Sequence, residues 1–130
     1  MKKRRNVIIT LILVVVVGAV VGKITFNNIA AAHQRLLDER IPSVLLSGIP
    51  DGTYMGSYSA FPVLAEVKVT VKAQTITDIE LVKHRNGQGE WAEAILVKVV
   101  ASQSLDVDVI AGATISSRVI LRAIGKALER

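Results

Sequence analysis

The chain reads as an α+β protein, an antiparallel sheet covered by helices and preceded by one N-terminal transmembrane helix. Three observations predict this class. Val7 to Gly22 is an uncharged run dominated by Val, Ile and Leu, and it follows the basic residues Lys2, Lys3, Arg4 and Arg5. Ala65, Val67, Val69 and Val71 alternate with Glu66, Lys68, Thr70 and Lys72, the period of a strand buried on one face. Ser116 to Leu128 collects Ile120, Ala123, Ile124, Ala127 and Leu128 on one stripe, with Arg118, Arg122 and Lys126 opposite, the period of an amphipathic helix.

A length of 130 residues holds one domain and an appendage. The net charge of +5 would suggest nucleic acid if it lay on the domain, but Lys2, Lys3, Arg4, Arg5 and Lys23 carry the whole excess. The remaining bases and acids balance, and two Phe, two Tyr and one Trp are little material for stacking bases, so no nucleic-acid partner is expected. The chain contains no cysteine, which excludes disulfides, thiolate metal sites and a cysteine nucleophile. His33 and His84 stand far apart, with nothing beside either to build a metal centre or a catalytic triad.

Residues 1–6 form a basic tip expected in the cytoplasm. Residues 7–26 form the anchor, about the 20 residues that a helix needs to cross a bilayer, with Lys23 snorkelling toward head groups. A cleaved secretory signal ending near Ala30-Ala31-Ala32 is the competing reading. The length of the apolar run and its distance from those alanines favour a retained, single-pass anchor, with the rest of the chain outside the cell membrane. Residues 27–48 read as a mostly helical stalk interrupted at Pro42, with His33 solvated on it. Ser47-Gly48-Ile49-Pro50-Asp51-Gly52 is a turn-rich boundary, and the domain takes residues 49–130.

Within the domain, Gly52 to Tyr58 reads as a first strand. Val67 and its alternating neighbours form a second, which a turn at Ala73-Gln74 joins to a third over Thr75 to His84. Strict alternation puts Ile79 and Leu81 on the buried face of that strand and Asp78, Glu80, Val82 and His84 on the other. A polar loop with Asn86, Gly87 and Gly89 follows. Glu90 to Ser102 reads as a helix with Trp91, Ile95 and Val99 as its buried stripe. Asp106 and Asp108 suit turn capping better than acid/base work. Ser116 or Ser117 is the expected cap of the last helix, whose arginines form a solvated face.

Between the connector and that helix stands Asp108-Val109-Ile110-Ala111-Gly112-Ala113-Thr114. It places a hydroxyl beside a helix N-terminus, where free N–H groups and the helix dipole favour an anionic group such as phosphate. Asp108, Gly112, Ala113 and Thr114 resemble the flavinylation signature of the FMN-binding domain family. Ala111 stands where that family usually has Ser or Thr. Asp51-Gly52-Thr53-Tyr54-x-Gly56 resembles the family's opening strand, and Gln103-Ser104-Leu105-Asp106-Val107-Asp108 its connector.

The resemblance implies one FMN per chain, joined covalently through its phosphate to Thr114 by a separate flavinyltransferase. Asp108, Ala111, Gly112, Ala113 and Ser116 then belong to the attachment segment, and His84, Asn86, Gly87 and Gly89 lie against the flavin. Glycines permit close approach to a flat ring, and Asn or His can hydrogen-bond its polar edge. The implied role is a membrane-anchored, extracytoplasmic electron carrier without a substrate of its own, served by membrane redox partner proteins. Two alternatives stand beside it: an anchored non-redox module that binds a ligand or a protein, and a domain that holds FMN without a covalent bond.

Overall fold

The alternation through Ala65 to Lys72 becomes the middle strand of a three-stranded antiparallel sheet. In the computed structural model, which describes residues 1–85 and 90–129, β1 (Gly52–Ala60), β2 (Val63–Lys72) and β3 (Thr75–Arg85) are neighbours in chain order. Ala65, Val67, Val69 and Val71 are wholly buried on one face. Glu66, Lys68 and Thr70 are half-buried on the other, where Lys68 pairs with Glu80 across the strands. Phe61-Pro62, with a cis peptide bond, joins β1 to β2. Ala73-Gln74 joins β2 to β3 with φ of 48° and 60°, the type I′ hairpin turn whose twist matches that of the strands. Asp51 Oδ1 accepts the N–H of Ala73 at 2.8 Å.

Two bulges interrupt β3. Thr70 lies opposite Asp78 but Val71 opposite Ile76, and Glu66 lies opposite Lys83 but Val67 opposite Leu81. Thr77 and Val82 are the extra residues, and each exchanges the faces of the strand beyond it. Ile76 is thereby buried together with Ile79. Beyond Val82, His84 comes opposite Ala65, and its side chain is 3% exposed. The expectation that His84 shares the outer face with Asp78 and Glu80 is corrected by this bulge.

The uncharged run lies in α1 (Lys2–Asp38), an unbroken helix long and apolar enough to cross a membrane. Two units divide the chain, Met1–Gln34 and Arg35–Arg130. The second holds the last turn of α1, the sheet, α2 (Ile95–Ser102) and α3 (Thr114–Leu128). The helix stops ahead of Pro42, and a short 3-10 turn at Leu46–Gly48 precedes the sheet. The helix expected over Glu90 to Ser102 is split: a 3-10 turn at Glu90–Ala94 comes first and α2 follows. Three residues per turn carry Trp91 off the apolar stripe. It is 76% exposed, while Ala92, Ile95 and Val99 are buried.

α3 lies across β1 and β2. A Cβ at Gly56 would collide with the carbonyl oxygen of Ala123 and the nitrogen of Ala127, so glycine sets how closely helix and strand approach. The other side of α3 is covered as well. Arg118 Nη1 donates to the carbonyls of Leu36 at 3.0 Å and Glu39 at 3.1 Å. Arg122 Nη2 donates to Arg40 O at 3.3 Å and pairs with Glu39 Oε2 at 2.9 Å. Carbonyls at a helix C-terminus lack intrahelical donors, and the two arginines supply them at the end of α1. The expected solvated arginine face is therefore corrected: the segment that leaves α1 covers it.

Candidate functional site

The site is built by the connector between α2 and α3. Gln103 ends α2 in the left-handed region, with φ of 53°. Its Oε1 accepts the N–H of Ile76 at 2.7 Å, and its Nε2 donates to the carbonyls of Ile76 at 2.9 Å and Val100 at 2.6 Å. One side chain thus ties the start of the connector to the first bulge of β3. Leu105 then lies against Gly125, and Lys98 Nζ donates to Asp108 O at 3.3 Å.

At the far end of the connector the backbone turns sharply. Ala113 N–H donates to Ile110 O at 3.0 Å, and Gly112 at the third position has φ of +78°. That geometry fits a type II turn, which calls for glycine there. Ile110 N–H donates to Ser117 Oγ at 3.0 Å, and Ser117 is 0% exposed. The turn is therefore fastened to the first turn of the helix that follows it.

α3 begins at Thr114, two residues ahead of the expected start. Its N-cap is Ala113, with no side-chain cap, and Ala113 O accepts Ser117 N–H at 2.9 Å. Ser116 and Ser117 are not caps; both are buried inside the first turn. The N–H groups of Thr114, Ile115 and Ser116 have no intrahelical acceptor in such a start. Thr114 is half-buried, Ala113 is buried, and Ala111, Gly112 and Asp108 are exposed. A Cβ at Gly112 would meet nothing within 4 Å, so the turn faces open space. Ala111, Gly112, Ala113, Thr114 and Ser116 thus lie together, with Asp108 just upstream on the same connector.

His84 stands apart from them in sequence, with Nδ1 3.3 Å from Glu93 Oε1. Asn86, Gly87 and Gly89 lie outside the described residues. The 3-10 turn at Glu90–Ala94, which carries Glu93, also packs against α3. Leu105 meets the C-terminal half of α3 at Gly125. Sequence reasoning expects a cap at Ser116 or Ser117 and misses the bond of Ser117 to Ile110, the tie made by Gln103 and the anchored role of Arg118. Ser117 alone left a signal, since it stands at helical spacing from Ile120 and Ile124 inside an apolar stripe.

The family model described as FMN-binding domain matches residues 65–129, from β2 through the turn and Thr114 to the end of α3. An uncharacterized protein of Treponema pallidum (strain Nichols) is 32% identical over 83 residues, covering 62% of this chain and 23% of that protein. The chain thus spans about a quarter of the length of that relative.

Proposed function

The chain belongs to the FMN-binding domain family, a flavin-binding protein with FMN as its cofactor, and from that premise we propose that it is a membrane-anchored electron carrier whose FMN is esterified to Thr114. The observation that carries the reading is the exposed Ala111-Gly112 turn, fastened by Ser117, which presents Thr114 as the first residue of an uncapped helix. The residues fit the group. The half-buried Thr114 carries a hydroxyl, N–H groups without an intrahelical acceptor lie next to it for phosphate oxygens, and the approach is open on the side of Gly112.

No histidine or lysine stands close to Thr114 in sequence to activate its hydroxyl, so a separate flavinyltransferase loads it from FAD. The threonine oxygen bonds to the flavin-side phosphorus, the pyrophosphate bond breaks, AMP leaves, and the hydroxyl proton passes to a base of that enzyme. Asn86, Gly87 and Gly89 lie outside the described residues; by the family resemblance they would contact the flavin, where glycine permits close approach to a flat ring and Asn can hydrogen-bond its polar edge. The buried side chain of His84 meets Glu93 of the 3-10 turn. Once bound, FMN supplies the redox chemistry and the protein fixes its position. The domain stands outside the cell membrane, anchored by α1 with residues 1–6 in the cytoplasm; a reductase in the membrane supplies electrons and an acceptor outside removes them. Ala111, which lacks the hydroxyl usual at its position, favours a second reading in which FMN is held without the ester.

Expression with and without Thr114→Ala in a flavinylating host separates the two. The wild type is expected to stay yellow after denaturation and gel filtration, and the variant to lose its flavin while remaining folded. Flavin that stays with denatured Thr114→Ala would place the ester elsewhere. Flavin released from the denatured wild type would leave the second reading standing.

A further inference from the structure

We propose that Arg118 grips the phosphate of the flavin nucleotide, and is a binding residue of the site in its own right. The inference rests on the reading of Thr114 as the point of attachment. Arg118 follows Thr114 by four residues, which puts the two on one face of α3 with Cβ atoms about 6 Å apart. Helical side chains tend to lean toward the N-terminus, which for Arg118 is the direction of the turn that Thr114 opens.

The guanidinium is already oriented. Nη1 donates to the carbonyls of Leu36 and Glu39, which leaves the Nε and Nη2 edge, the edge that meets two phosphate oxygens side by side. Nε is buried and has no acceptor among the described residues. Both partners of Nη1 are neutral carbonyls, and among the described residues no carboxylate pairs with Arg118. A positive charge with no carboxylate partner among the described residues is thus held in place one turn from the threonine, with its Nε lacking an acceptor there.

Arg122 provides the internal comparison. It also donates to a carbonyl at the end of α1, and its Nε is likewise buried without an acceptor. Its charge, however, is met by Glu39, and it lies eight residues from Thr114, about 12 Å along the helix. It shares the structural role of Arg118 and not the position.

The test compares FMN with riboflavin, which lacks the phosphate, as ligands of the full chain in detergent, produced unmodified in a host without the transferase. The unmodified chain and Arg122→Gln are expected to bind FMN at least about tenfold more tightly than riboflavin, a difference of about 1.4 kcal/mol. In Arg118→Gln the ratio should fall to about one with riboflavin binding retained, and Arg118→Lys should lie between. Three results overturn the proposal: FMN and riboflavin bound equally by the unmodified chain, no measurable FMN binding by it, or the same loss of preference in Arg118→Gln and Arg122→Gln. Because the measurement needs no ester, it is read separately from the mass of the Thr114 peptide in loaded protein. A preference for FMN that depends on Arg118, beside an unmodified Thr114, would uphold the phosphate grip and dismiss the covalent bond.

Discussion

At Gly56 a single missing side chain decides how α3 sits on the sheet. An added methyl group meets the carbonyl of Ala123 and the nitrogen of Ala127, which are backbone atoms and cannot rotate away. Gly56→Ala is therefore expected to destabilise the domain by about 3 kcal/mol, read as a lowered urea midpoint with an unchanged slope. A midpoint within error of the wild type would show that helix and strand do not approach this closely. Ser117→Ala has a different signature. It strands the N–H of the half-buried Ile110, at a cost of about 1 kcal/mol, and releases the turn that carries Thr114. We expect slower FMN loading of Ser117→Ala at temperatures where it is fully folded; an unaltered rate would make Ser117 a packing residue only. Gly56 could be read in the sequence as part of a family-like opening, but its reason could not, because the colliding atoms come from residues some seventy positions later. Thr114 was legible because its signal is local: a glycine turn, a hydroxyl and a helix follow one another along the chain.

Strands are legible as far as their alternation holds. β2 alternates without a break and was read correctly. β3 contains two extra residues, Thr77 and Val82, and strict alternation across them sends His84 to the wrong face. No composition marks either bulge, since each is fixed by the partner strand and, at Ile76, by the amide of Gln103. Gln103→Ala should cost about 1–3 kcal/mol and raise amide exchange at Ile76 above that of its neighbours in β2. Exchange that rises evenly along the sheet would mean that Gln103 has no local hold on the bulge. The hairpin turn offers the opposite change. Ala73 and Gln74 hold positive φ without being glycine or asparagine, so replacing them with Asn and Gly should stabilise the hairpin by about 1 kcal/mol, seen as a raised melting temperature. α2 shows the limit of period counting in helices. One 3-10 turn before it was enough to bring Trp91 out of the predicted core to the surface.

For the whole molecule the sequence was informative at both ends of its range. The uncharged run and the basic tip mark out a helix able to cross a bilayer, and the α+β sequence of elements follows from the patterns of β2 and α3. The covered arginine face of α3 was not legible, because the segment that covers it, Leu36 to Pro42, carries no pattern pointing to α3. The unit Arg35–Arg130 retains that segment, so a chain lacking residues 1–34 is expected to be soluble and to unfold cooperatively, while the full chain stays with membranes through an alkaline wash. Aggregation of the shortened chain in the unfolded state would show that the domain depends on the anchor. The account as a whole turns on what Thr114 carries. The most direct measurement is the mass of the tryptic peptide from Val99 to Arg118, isolated from cells that express the transferase. The account predicts that this peptide bears the mass of FMN less one water, with the addition localised to Thr114 by fragmentation. An unmodified peptide recovered in full from such cells, from protein without flavin colour, would contradict it.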